Sequence, residues 1–306
     1  MKPTLFHLGE SLPIHSYGFF IAIGIILGVA LAVRRGRQIG MATGDTLDLT
    51  FYAIVVGLIG SRALYVAMHV GEYVRLCRGT GAPRSSSHAL SDCLAALKFW
   101  QGGLAFLGGA VLAAAVVLLY AHRKGLRLGD VADVLAPSVS LAHVFGRLGC
   151  FMVGCCYGKA WGPGAHFPPD SVAYSELLAR GTIHAGAACT PGVHPTQLYE
   201  SAGELLIFLG LLLIWRRRRF PAAVALSYAM AYGVLRFLVE IFRDDQVRGF
   251  VFPARLPALA NTLGLPAEDP LFLSTAQAMS LLLIAAAATG YVLLSRRQQA
   301  ERTPTE

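Results

Sequence analysis

His143–Lys159 reads HVFGRLGCFMVGCCYGK, a run apolar enough for a membrane that nevertheless holds a histidine and an arginine. Placing a guanidinium in hydrocarbon costs at least ~2.5–3.5 kcal/mol on insertion scales, so an arginine there marks a functional site by default. Arg147 therefore calls for something anionic opposite it. His143 and Arg147 are four residues apart and stack on one face of a helix. Gly146, Gly149 and Gly154 remove side chains at intervals, which suits close approach by a neighbouring helix or a lipid headgroup.

The surrounding chain has the same character. Its 306 residues are 55% hydrophobic and 14% charged, with mean hydropathy +0.55, too apolar for an ordinary soluble domain. The reading is an all-α integral membrane protein, one transmembrane domain over residues 1–306. Seven apolar runs reach the ~17–25 residues that a spanning helix needs: Ser16–Val33, Leu47–Val70, Gly102–Ala121, Val131–Phe151, Gln197–Trp215, Ala222–Ile241 and Ala276–Leu294. Met1–Ser16 has neither a charged n-region nor a small-residue cleavage site, so the first run is not read as a removed signal peptide.

The net charge of +8 lies in short clusters between runs. Arg34, Arg35 and Arg37 follow the first, Arg123, Lys124 and Arg127 the third, Arg216–Arg219 the fifth, and Arg296, Arg297 and Arg302 the seventh. That is the pattern of cytoplasmic anchors and argues against nucleic-acid binding. The amino terminus then faces outward with three longer segments, Gly71–Gln101, Met152–Thr196 and Phe242–Thr275, which form a small outer head. Ala82–Ser91 reads as a solvated outer loop, and Trp100, Tyr120, Trp215 and Tyr291 as a partial aromatic belt.

Other spans carry polar residues at helical spacing. Arg62, Tyr65 and His69 share a face of the second, and Tyr232, Arg236, Glu240 and Arg243 share a face of the sixth. Gln197, Glu200, Ser201 and Glu204 open the fifth just after His194–Pro195, and His15 and Tyr17 stand at the entrance of the first. With odd spans running inward and even spans outward, His15, Tyr17, Arg147, His194, Gln197, Arg236 and Glu240 converge toward the outer half. Arg236 and Glu240 are the expected structural pair. Arg147 has no carboxylate at helical spacing in its own span, so it is expected to be free for a phosphate, which its planar fork suits.

In order and spacing, HSYGFF at His15, WQGGLAFLGG at Trp100, GRLGCF at Gly146, HPTQLYE at His194 and YGVLRFLVEIFRDD at Tyr232 resemble the prolipoprotein diacylglyceryl transferase family over most of the chain. The resemblance implies a bacterial inner-membrane enzyme with its site toward the periplasm. Its donor is phosphatidylglycerol, its acceptor the lipobox cysteine thiol of a prolipoprotein presented by the signal peptide, and glycerol phosphate is released. It assigns essential roles to Arg147 and Arg236. Substrate-binding roles go to Tyr17, Tyr232, Gln197, Glu200 and Gly158, with Arg62 added for its place in the second span. No cofactor is expected. Leu107, Cys150 and Cys155 stand where the family usually has histidine, asparagine and an acid, which leaves open a paralogue with a changed acceptor.

The implied reaction poses two problems: an acceptor thiol with a free pKa of ~8.5 must lose its proton, and the leaving phosphate must be stabilised. Arg147 and Arg236 address the second. For the first, His143, His194 and Glu200 are rival bases. Cys150, Cys155 and Cys156 form C-x4-CC. An oxidising outer compartment favours a disulfide among Cys155, Cys156 and Cys189 over a zinc site completed by Cys189 and His194. Cys150, deeper in its span, is expected to pack as a small residue.

Overall fold

A computed structural model describes residues 4–8, 12–78, 94–97, 103–244, 249–263, 265 and 272–302. Ala82–Ser91, Trp100 and the expected start of the third span at Gly102 lie outside these. Seven described helices are long and apolar enough to cross a bilayer. They are α1 (Ser16–Gln38), α2 (Thr43–Met68), α4 (Phe106–Arg123), α5 (Leu128–Val153), α7 (Thr196–Arg216), α8 (Ala223–Glu240) and α10 (Thr275–Arg302). The expected ends hold to within a few residues except where α1 and α10 continue past Val33 and Leu294. Arg34, Arg35 and Gln38, and Arg296, Arg297 and Gln298, are good helix formers, and basic residues at a helix C-terminus favour the dipole. Apolar length therefore marks the hydrocarbon crossing and not the whole helix.

The chain divides into two compact units. In residues 35–131, α2 packs on α4 through facing glycines: a Cβ at Gly60 or Gly108 would overlap the other's carbonyl oxygen. A short helix, α3 (Val70–Arg78), follows α2, so the segment from Gly71 is not a plain loop. Arg62 donates from Nε to the Ala96 carbonyl at 2.8 Å and from Nη1 to the Gly103 carbonyl at 3.0 Å. It also lies against the rings of Tyr65 and Tyr73. Tyr65 and His69 stack at 4.2 Å, as their shared face requires.

In the other unit α1 meets α5 through Gly24 and Gly28, where an added Cβ would come within 3.0 Å of the Ala142 and Ser138 carbonyls. Gly149 admits Tyr17 and Phe20 of α1, whereas among the described residues nothing lies within 4 Å of a Cβ built at Gly146, so of these two helical glycines Gly149 serves close packing. Buried Asp133 of α5 accepts hydrogen bonds from the Val224 and Ala225 amides at 2.8 and 2.9 Å, anchoring the first turn of α8.

Both long segments of this unit are partly folded. Met152–Thr196 contains β3 (Ala160–Ala165) and α6 (Val172–Ala179) around a core of Tyr157, Phe167, Ala173, Leu177 and Val193. Phe242–Thr275 contains β4 (Phe250–Ala254), α9 (Pro257–Thr262) and β5 (Phe272–Ser274), with β4 and β5 antiparallel and Ile241, Ala260 and Leu265 buried together. At the start of the chain β1 (Thr4–Leu8) pairs antiparallel with β2 (Leu12–His15).

Candidate active site

Three helices of one unit bring their polar stripes together. Glu200 of α7 is fully buried and faces three guanidiniums: Arg147 Nη1 of α5 at 3.0 Å, and Arg236 Nη1 of α8 and Arg243 Nη1 just beyond α8, each at 3.8 Å. Neither Glu200 oxygen accepts a directed hydrogen bond among the described residues, so the attraction is chiefly of charge for charge. Glu240 takes Arg236 Nη2 at 2.7 Å and Arg243 Nε at 4.0 Å, and accepts from Ser274 Oγ at 3.1 Å. At this level three cations meet two carboxylates. Arg236 Nη1 is buried and donates to no hydrogen bond among the described residues.

One helical turn along α7, Glu204 is also fully buried and is contacted by His143 Nδ1 at 2.8 Å, Ser140 Oγ at 2.6 Å and Tyr228 Oη at 3.4 Å. Arg147 Nε donates to His143 Nε2 at 3.1 Å. His143 thus bridges Arg147 and Glu204 through its two ring nitrogens. Glu204 lies one turn from the guanidinium cluster and is linked to Arg147 through His143.

These contacts correct the expectation that Arg147 is free. Its carboxylate comes from another helix, which helical spacing cannot reveal. The Arg236–Glu240 pair is present as expected. Tyr232 packs its ring 5.7 Å from His143. Tyr17, 42% exposed, lies against Gly149 and within electrostatic reach of Arg147. Arg62 belongs to the other unit, where its known donors hold backbone carbonyls. Arg243, Ser140 and Tyr228 were not singled out for the site. The signal for Arg243 is its place on the shared face of the sixth span with Tyr232, Arg236 and Glu240.

His194 forms a second centre. It is buried, stacks on Trp161 at 4.6 Å and 3°, packs on Phe242, and places Nδ1 3.2 Å from Tyr199 Oη. Burial, and then the charge of Lys159, lowers its pKa below the usual 6.5. Gly158 is fixed by the hydrogen bond that its backbone N–H donates to the His194 carbonyl at 2.9 Å. A Cβ there would overlap Phe242 O and crowd His194, so close backbone approach requires glycine.

The cysteines depart from expectation. Cys150, Cys155, Cys156 and Cys189 are all free thiols, and Cys189 is exposed, so the expected disulfide among Cys155, Cys156 and Cys189 is absent. Nor is Cys150 mere packing: the sulfurs of Cys150, Cys155 and Cys156 lie within 4.8 Å of one another. The chain turns back after α5 through positive φ at Gly154 (76°) and Cys156 (60°), which brings the later thiols toward the earlier one. Gln197 Nε2 and Thr196 Oγ1 hold the Cys155 and Cys156 carbonyls, each at 2.7 Å. Hydrogen bonds from the neighbouring thiols, aided by Arg243 and Arg147, hold the Cys156 thiol well below its usual range.

A family model for prolipoprotein diacylglyceryl transferase matches residues 3–293. Among similar proteins, one from Bordetella bronchiseptica is 31% identical over 300 residues, 97% of this chain and 96% of that protein. One from Clostridium tetani is 31% identical over 245 residues, 80% of this chain and 86% of its own length. One from Methylococcus capsulatus is 32% identical over 242 residues, 78% and 80% respectively. All three are named phosphatidylglycerol–prolipoprotein diacylglyceryl transferases. With nearly its whole length matched, the chain belongs to the prolipoprotein diacylglyceryl transferase family.

Proposed function

We propose that this protein transfers the diacylglyceryl group of phosphatidylglycerol to the lipobox cysteine thiol of a prolipoprotein. The observation that carries the reading is the convergence of Arg147, Arg236 and Arg243 on Glu200, within a chain matched almost end to end by the family. Basic clusters at one end of α1, α4, α7 and α10 support an outward amino terminus and a site on the periplasmic side of the bacterial inner membrane. The acceptor's signal peptide would enter from the surrounding lipid.

In the transfer the acceptor sulfur attacks the glycerol carbon that bears the phosphate. A C–S bond forms, the C–O bond breaks, and glycerol phosphate leaves with the electron pair. Arg147 and Arg236 hold the phosphate oxygens and meet the charge that grows on the leaving group. Glu200 keeps the guanidiniums gathered before substrate arrives, and the loose aim of their N–H groups at it lets a phosphate compete for them. Tyr17, Tyr232, Gln197 and Gly158 shape the surrounding wall. His143, whose lone pair is engaged by Arg147, acts first as the positioner of that arginine. Glu200 is occupied by three guanidiniums, and His194 is enclosed by aromatic rings.

The test is complementation of a transferase-depleted bacterium: growth and lipidated lipoprotein at normal expression are expected, and failure overturns the reading. A second reading, a paralogue with another acceptor, is favoured by Cys150 and Cys155 at positions where the family usually has asparagine and an acid. Turnover of labelled phosphatidylglycerol without any lipobox peptide would select it.

A further inference from the structure

We propose that Cys150, Cys155 and Cys156 form a three-thiolate zinc site whose open fourth position receives the acceptor cysteine as its thiolate. The acceptor's identity rests on the transferase reading above; the metal site does not.

The geometry carries the first part. Three sulfurs lie within 4.8 Å of one another. Zinc–thiolate bonds of ~2.3 Å in tetrahedral geometry separate sulfurs by ~3.8 Å, so side-chain rotations that close the group by at most ~1 Å complete the site. The supports are in place, because α7 fixes two of the three ligand-bearing peptides through Gln197 and Thr196. An all-sulfur donor set excludes magnesium, calcium and manganese, which prefer oxygen. Cys189 is exposed and outside the group, which has three members. Three protein ligands with an open position is the arrangement of catalytic rather than structural zinc.

Electrostatics and chemistry carry the second part. Zinc with three thiolates bears one negative charge, and with a fourth it bears two. Arg147 and Arg243, both within electrostatic reach of Cys156, offset a dianion that would otherwise be costly at the membrane. The transferase reaction needs a deprotonated thiol, yet both ring nitrogens of His143 are already engaged, by Arg147 and by Glu204. A thiol that binds zinc gives up its proton outright. Here that proton passes to water. The zinc-bound sulfur then donates its electron pair to the glycerol carbon as the C–O bond breaks and glycerol phosphate departs. The product is a neutral thioether, a poor zinc ligand, and leaves the metal.

The experiment uses the full-length protein in nanodiscs, purified under reducing conditions and loaded with Zn²⁺ or Co²⁺ alone. About one zinc per chain is expected, with a thiolate-to-cobalt charge-transfer band in the cobalt form. Cys150→Ser, Cys155→Ser and Cys156→Ser should each weaken zinc binding at least about tenfold, while Cys189→Ser leaves it unchanged. A lipobox peptide should shift the cobalt bands, and its Cys→Ser counterpart should not. The cobalt titration of the wild-type protein stands even if a variant fails to fold. No metal after loading, zinc bound independently of the three cysteines, preference for Cu⁺ when both are offered, or bands unmoved by the peptide would each overturn the proposal. Undiminished transfer by zinc-free protein would overturn it while leaving the transferase reading intact. Zinc and peptide binding without complementation would do the reverse.

Discussion

Arg147 and Arg62 both lie in apolar helices, and the sequence alone marks them equally as out of place. Their surroundings differ in kind. Arg62 gives Nε and Nη1 to backbone carbonyls and lies against two tyrosine rings, so it ties the segment before α4 to α2. Arg147 shares a fully buried carboxylate with two other guanidiniums and donates from Nε to His143. An intramembrane arginine directed at carbonyls is a structural tie. One gathered with other guanidiniums around a shared carboxylate is prepared for an anion.

The largest effect tests that contrast directly. Arg147→Ala should reduce transfer by ~10²–10³ or more, with the protein still inserted, because a preorganised charge partner is lost while the span becomes more apolar. Arg147→Lys should recover only part of the activity, since an ammonium lacks the planar fork. Transfer of labelled lipid to a lipobox peptide measures both. An equal loss from Arg62→Ala would erase the distinction between the two sites.

Glu200→Gln probes the carboxylate that makes the difference. Removing one partner of a buried ionic cluster costs ~3–5 kcal/mol, and here three guanidiniums lose their shared counter-charge. Thermal unfolding in detergent should show a marked loss of stability. Added phosphatidylglycerol should restore more of it than an uncharged lipid does. Equal rescue by both would mean that the surplus charge does not attract the headgroup.

How far the sequence reveals these features depends on the range of the interaction. The seven crossings follow from apolar length, and Arg236–Glu240 follows from one helical turn. The meeting of Arg147 with Glu200 joins two helices with the long α6-containing segment between them, and no local spacing encodes it. Asp133 capping α8 is hidden for the same reason. For the C-x4-CC cysteines the compartment favours a disulfide with Cys189 and a packing role for Cys150, whereas the convergence of all three depends on the backbone reversal at Gly154 and Cys156. Glycine at 154 signals such a turn; a cysteine with φ of 60° does not.

Arg62→Ala is the intermediate case. Charged hydrogen bonds are worth roughly 1.5–3 kcal/mol each, so losing those to Ala96 and Gly103 should lower thermal stability measurably. The transfer rate per folded molecule should change far less than in Arg147→Ala. A large rate loss at unchanged melting temperature would move Arg62 to the substrate side of the comparison.

The smallest effect concerns His194, which is buried like the guanidinium cluster but enclosed by rings and close to a cation. Its folded pKa lies below the usual 6.5 because burial and Lys159 both disfavour the imidazolium. The unfolded chain therefore takes up the proton first as pH falls. The stability linked to neutral His194 is present above about 6.5 and is lost as acidity carries the solution down through the lowered folded value. Melting temperatures followed from about pH 7.5 to pH 5 should decline for the wild type and less steeply for His194→Gln, which cannot titrate. Identical slopes would show that the aromatic enclosure admits the imidazolium without cost.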